Sequence, residues 1–245
     1  MKIILIVFCL VIQQTAGAAC SDAPAPGVNW SGCDKSGQNF ASMDLHGAIL
    51  TRANLQGADF SSAKLGNADL GSASIRGARF NGAMLKDARL VSVVAEQADF
   101  TDAKMDGVSF SRASLVRANF TRARLVDARF YEANAEKAVF DAAVLNGARF
   151  LRTYLHDASF VRAEAERASF AESSFESAIL RGSRFLRCEF DKTNLTDADF
   201  GSADLTRSTF REAVIDGAVF DKAILSDASW IDFSRCRADA VGRCR

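Results

Sequence analysis

The sequence predicts an all-β solenoid, a chain that turns every five residues so that each short extended piece aims one large apolar side chain at a common interior. Two observations carry this reading. In "SFSRASLVRANFTRARLVDARF", residues 109–130, Phe110, Leu115, Phe120, Leu125 and Phe130 stand five apart, and Ala113, Ala118, Ala123 and Ala128 stand two places before the last four. On an α-helix, residues five apart lie about 140° from one another and scatter around the cylinder. In a straight strand successive side chains alternate faces, so an odd spacing sends every second Phe or Leu into water. Only a chain that bends every five residues buries the whole set.

The small residues define the local geometry. Residues two apart in an extended piece point the same way, so Ala118 and Phe120 both face inward, the methyl beside the corner and the ring in the middle. From Met43 to Ala228 the corner position is Ala at 29 of 38 places; the others are Met43, Val93, Val108, Thr153, Ser173, Ser183, Cys188, Thr193 and Ser208. The central position from Phe40 to Trp230 is Leu, Phe, Ile, Met or Trp except at Ala95, Ala135 and Ala165, with no insertion in the frame. The two prolines, Pro24 and Pro26, precede the repeats, as a ladder built on backbone N–H groups requires.

Runs such as "AKLGNADL" and "ANFTRARL" resemble the pentapeptide-repeat family, whose unit is A(D/N)LXX. The resemblance implies a right-handed quadrilateral β-helix with four five-residue sides and about twenty residues per coil, hence about ten coils and a rod on the order of 45 Å long. The residue before the centre departs from the family, being often Arg, Ser, Val or Glu, and reads as drift on a tolerant position. With twenty residues per coil, one outward column reads Arg112, Glu132, Arg152, Glu172, Lys192, Glu212, alternating in sign as cross-strand neighbours favour. A second column, Arg167, Arg187, Arg207, has one sign and needs neutralising neighbours. Phe stacks on Phe in two inner columns, Phe60 to Phe160 and Phe110 to Phe210. Leu145, Ala165 and Phe185 suggest a large ring compensating a small neighbour.

The expected organisation is a signal peptide over 1–19, an N-terminal capping segment over 20–39, the β-helix over 40–230 and a C-terminal capping loop over 231–245. "MKIILIVFCLVIQQTAGAAC" has one Lys, an apolar run and small residues before a cleavage point, the three parts of a secretory signal. The run is too short to span a bilayer; a lipid anchor on Cys20 is the rival outcome. Thirty basic and thirty acidic residues give a formal net charge of zero, which argues against nucleic-acid binding and against an acidic DNA-like surface. Beyond the leader, Cys188 takes an inward corner place suited to a buried thiol. Cys20, Cys33, Cys236 and Cys244 allow three pairings; only Cys20–Cys33 with Cys236–Cys244 avoids bridging opposite ends of a rod, closing loops worth about 2.5–3 kcal/mol each. Trp30 is expected to plug one end, and Trp230 with Phe233 the other. Lys35, at a central position, is expected on an incomplete first coil with access to water.

No constellation suggests catalysis, a cofactor or a metal. His46 and His156 are outward and more than five coils apart, and the carboxylates read as charged ladders. Gly57, Gly77, Gly107, Gly147 and Gly217 recur at a corner, as turns require, not in a phosphate loop. The feature that suggests a partner is an outward apolar cluster of Tyr131, Leu151 and Tyr154, with Val91 and Val94 earlier on the same side, since exposed aromatics mark interfaces. The sequence therefore reads as a non-enzymatic, periplasmic or secreted scaffold for an unidentified protein partner. A DNA-mimicking gyrase-protection protein, as the family includes, and an enzyme on this scaffold are the alternatives.

Overall fold

The computed structural model describes residues 19–244, so all but the last residue of the expected leader lies outside the described residues. Each five-residue unit contributes an outward residue that bridges its counterpart twenty positions on in parallel, from Asn29↔Ile49 to Thr209↔Ser229. Four such sides make one coil, and the coils stack into a right-handed quadrilateral β-helix. The ladder begins at Asn29, inside the segment expected to act as a cap. At one place the bridging extends to three-residue strands, β1 (Glu164–Glu166) and β2 (Arg184–Leu186), paired in parallel with Ala165 opposite Phe185.

One unit shows why the chain closes every five residues. Phe120 N–H donates to Val139 C=O in the next coil at 2.6 Å, Arg122 N–H to Asp141 C=O at 2.9 Å, and Asn119 N–H back to Ala98 C=O at 2.9 Å. Ala123 N–H closes the corner onto Phe120 C=O at 2.9 Å. The remaining donor, on the residue after the centre, is taken by an Asn or Asp just before the centre: Thr121 N–H donates to Asn119 Oδ1 at 3.0 Å and Ser61 N–H to Asp59 Oδ1 at 2.9 Å. The preference for Asp or Asn at that place is thus a turn cap, not an idle position. Where it is absent a carboxylate of the previous coil can serve, as Asp141 Oδ1 does for Val161 N–H at 3.0 Å.

The second corner residue sits at positive φ in every turn, whether glycine or not; Arg122 has φ 57° and Ala142 φ 55°. Left-handed backbone costs an L-residue about 1–2 kcal/mol, and β-branched side chains tolerate it worst. No Val, Ile or Thr stands at this place anywhere from Ser42 to Asp227. Ala142 is exposed and isolates the backbone effect. We expect Ala142→Val to lose about 1–2 kcal/mol and Ala142→Gly to gain up to about 1 kcal/mol, read from chemical denaturation midpoints.

The lumen is solid. Phe60, Phe80, Phe100, Phe120, Phe140 and Phe160 stack at 4.7–5.1 Å between centroids. The column from Phe110 to Phe210 stacks at 4.3–5.3 Å and meets the first edge-on. Phe185 reaches Phe160 at 6.1 Å and Phe170 at 5.6 Å, filling the space that Ala165 leaves. Hydroxyls at the corner position are satisfied internally: Thr153 Oγ1 donates to Phe130 C=O at 2.7 Å and Thr193 Oγ1 to Phe170 C=O at 3.0 Å.

The ends differ from expectation in two respects. Trp30 is fully buried, 5.1 Å from Phe40, with its Nε1 donating to Asp22 C=O. Lys35, however, is buried rather than open to water: its stem lies in the first coil and its Nζ sits 4.3 Å from the Trp30 ring centroid, where the ring face offsets part of the lost hydration. At the other end Trp230 packs against Phe210 and Phe220, but Phe233 is 63% exposed and plugs nothing. The chain does not begin another coil after Trp230. It reverses, with Phe233 itself at φ 66°, and returns antiparallel, bridging Ser229↔Arg235 and Ile224↔Val241. Cys236 and Ala240 are therefore the residues buried over the last coil.

Disulfides join Cys20 to Cys33, with Cα atoms 5.4 Å apart, and Cys236 to Cys244, at 4.7 Å. Cys188 is free and buried. Burial pushes its thiol up to about 12, so almost no thiolate forms at pH 8. Native protein should therefore resist alkylation, with Cys188 reacting only as fast as the rod opens; rapid native labelling by iodoacetamide would contradict this packing.

Candidate interaction surface

The outward positions form four ladders, and the charges on them pair between coils. In the alternating column Arg112 meets Glu132 at 3.1 Å, Arg152 meets Glu172 at 2.8 Å and Lys192 meets Glu212 at 3.9 Å. In the like-signed column Arg187 is neutralised from the side by Glu166 at 2.9 Å, and Arg207 by Asp227, the next member of its own column, at 3.6 Å. Most of these pairs are exposed and contribute little individually.

Tyr131 and Leu151 are half-buried neighbours at one corner, where Glu132 N–H donates to Leu151 C=O at 3.1 Å. The Tyr131 hydroxyl, then Arg112, hold the Glu132 carboxyl below its ordinary range, so this tyrosine is woven into the charge ladder. Tyr154 stands on the adjoining face and is 57% exposed, bridged to Asn134 and Ser174. Val91 and Val94 are half-buried. Val94 reaches Tyr154 only through Ser114 and Asn134, three ladder steps, or about 14 Å. The two valines thus stand on the same faces, Val91 two coils before Tyr131 and Val94 three coils before Tyr154.

His46 borders a shallow depression of about 320 Å³ with Lys64, Met84, Lys86 and Asp87. His156 Nδ1 lies 3.5 Å from Glu176. A second depression, of about 340 Å³, is lined by Arg181, Asp199, Val219 and Asp221; there the Asp199 carboxylate pairs with Arg181 and caps Gly201 N–H at 2.9 Å. Among the described residues no group of three His, Cys, Asp or Glu could hold a metal ion, and no helix is long and apolar enough to cross a membrane.

Several carboxyls are held low by turn caps or by an arginine of the neighbouring coil. Asp59 is lowered to about 2 by the Ser61 hydroxyl, the Ser61 N–H and Arg79, against the opposing effect of burial; Asp102 is lowered by Arg122. A depressed folded value contributes stability above the unfolded value and loses it as pH falls through the folded one. For Asp59 that window runs from about pH 4 down to about pH 2. We expect Asp59→Asn to be less stable than wild type at pH 6 and to converge with it near pH 2, measured by thermal melts.

Residues 20–57, 31–67, 53–91, 96–134, 123–160, 148–187, 168–207 and 188–227 match the family of pentapeptide repeats in eight copies. Among solved structures, the chain is similar to HetL, a pentapeptide repeat protein involved in heterocyst differentiation regulation in Nostoc sp. strain PCC 7120, at 21% identity over 86% of this chain and 92% of that one, with a TM-score of 0.39. It is similar also to QnrB1, a plasmid-mediated fluoroquinolone resistance protein, at 17% identity over 74% and 81% with a TM-score of 0.45. A pentapeptide repeat protein of the Arabidopsis thaliana thylakoid lumen is 26% identical over 44% of this chain and 68% of that one, with a TM-score of 0.28. No curated protein matches. The eight copies together cover most of the sequence and fall within the coiled part of the chain, and the chain belongs to the pentapeptide-repeat family.

Proposed function

We propose that this protein is an exported, non-enzymatic rod that presents flat β faces to a protein partner, with Tyr131, Leu151 and Tyr154 as the contact patch. The observation that carries the reading is Tyr154, 57% exposed on a rigid ladder whose other outward places are mainly polar or charged. An aromatic fixed on a stiff face loses little entropy on binding, which is what an anchor residue needs. Export is supported by the leader pattern at residues 1–19 and by four cysteines paired in two local disulfides, a usage at home in oxidising compartments.

Two measurements test this reading. Cell fractionation with intact mass should give a protein lacking about eighteen or nineteen N-terminal residues, with four thiols blocked to alkylation. Full-length cytosolic protein with free thiols would refute export. Proteins captured by the wild-type rod should be lost from Tyr131→Ser/Tyr154→Ser; equal recovery by that variant would remove the patch.

A further inference from the structure

Among the described residues the final coil is hydrogen-bonded to a further strand on two of its four sides. After Trp230 the chain returns over side 228–230, where Cys236 N–H donates to Ala228 C=O at 2.8 Å, and then over side 223–225. There Leu225 N–H donates to Ala240 C=O at 2.9 Å and Gly242 N–H to Ala223 C=O at 2.8 Å. Sides 213–215 and 218–220 receive no backbone hydrogen bond from the described residues, although the return segment comes close to the second, where a Cβ at Gly242 would meet Phe220 C=O at 3.6 Å and Lys222 N at 3.8 Å. One coil earlier, the N–H groups of Leu195, Asp197, Phe200 and Ser202 all bond to the next coil. Their counterparts on Ile215, Gly217, Phe220 and Lys222, and the carbonyls of Ala213 and Ala218, have no partner among the described residues. Ile215 and Ala218 are partly exposed, although nearly every earlier residue at such places is buried. The outward Val214 and Val219 are 47% and 45% exposed. This is an open β edge beside apolar surface, the kind that recruits another strand.

The end is therefore a step, one half a strand taller than the other. The upper half has its own free edge: the N–H and C=O of Arg235 and Val241 make no bond among the described residues. Charge divides the same way. The low half carries Asp216 and Asp221 at its corners with Lys222, and the return segment carries Arg235, Arg237 and Arg243 with Asp239.

We propose that this end is a self-docking surface on which two copies lap, the return segment of each lying on the open half of the other. A two-fold axis across the end through the Asp221–Lys222 corner brings the return segment over sides 213–215 and 218–220 of the second copy, running parallel to them. The same rotation sets Arg237 of each copy above the Asp216 corner of the other, and Arg243 above the Asp221 corner. An axis through the Asp216–Gly217 corner instead stacks return segment on return segment and basic on basic, which excludes it. The apolar Val214, Val219 and Phe233 border the joint.

Sedimentation equilibrium of the purified oxidised rod tests this. We expect the mass of two chains at high protein concentration, unchanged in Tyr131→Ser/Tyr154→Ser. Asp216→Arg/Asp221→Arg and Arg237→Asp/Arg243→Asp should each weaken association at least tenfold while keeping the wild-type far-ultraviolet dichroism. Mixing the two variants should restore the two-chain mass, because each then meets opposite charge at both contacts. A single-chain mass for wild type across the accessible concentrations overturns the proposal, whatever the variants do. Association indifferent to both charge sets overturns it too, since the contact would then lie elsewhere.

Discussion

Phe150→Ala should be among the most damaging single substitutions in this chain, costing about 3–5 kcal/mol. Its ring is fully buried, stacked 4.3 Å from Phe130 and 5.0 Å from Phe170, and edge-on to Phe140 at 5.7 Å and Phe160 at 6.1 Å. Truncation removes the transfer free energy of the ring and leaves a cavity that four neighbouring rings cannot close, because each is fixed by its own ladder. Stacked and edge-on aromatic contacts add to the loss. Phe220→Ala is the control: its ring faces the open end and is 9% exposed, so the vacated space is met by solvent and the cost should be clearly smaller. Guanidinium unfolding of both variants reads the difference. A loss at Phe150 below about 1 kcal/mol would be incompatible with a packed lumen.

Deleting Asp141 alone should do more harm than removing the twenty residues 121–140. The whole-coil excision joins equivalent points of the ladder, so a bridge such as Asn119↔Val139 gives way to the equivalent pairing of Asn119 with Ser159, the partner of Val139 one coil further on. The product is a shorter rod with β dichroism and cooperative unfolding, as expected where stability sums over neighbouring repeats. Loss of one residue cannot be absorbed in this way. If pairing continues, Leu145 moves to the outward place of Val144 and Asn146 enters the lumen, with Phe150 and Leu151 displaced likewise. If the frame is kept, one coil forfeits its ladder. Either outcome costs several buried side chains at about 1.5–3 kcal/mol each. Limited proteolysis should cut the single deletion near residue 141 and spare the excised rod.

The interior was legible because it obeys one period: the ring columns, the alanine corners and the compensation of Ala165 by Phe185 all follow from spacing. The rest depended on what backbone donors do, which periodicity does not reveal. Asp or Asn before the centre caps the next N–H, as Asn119 does for Thr121, so the Arg, Ser, Val or Glu that spacing alone reads as drift at that place gives up a turn cap. The positive φ at each corner was foreshadowed by the missing Val, Ile and Thr, a signal visible only when absences are counted. Phe233 is expected to help Trp230 plug the end only if the winding continues, whereas the chain folds back and buries Cys236 and Ala240. Lys35 was sent to water by its charge, although its hydrocarbon stem and the Trp30 face accommodate it inside. Spacing assigns Tyr131, Leu151 and Tyr154 to outward places, but a partner's use of them is a matter of binding, which periodicity does not carry.

Each extremity is held by its own covalent tie, Cys20–Cys33 and Cys236–Cys244, while everything between is held by adjacency alone. Each tie keeps its loop closed in the unfolded chain as well, so oxidation makes fraying at either tip less favourable relative to opening of the shaft. Once the sulfur bonds are reduced the tips become the weakest places, and melting should advance inward turn by turn, like a rope unlaying from a cut end.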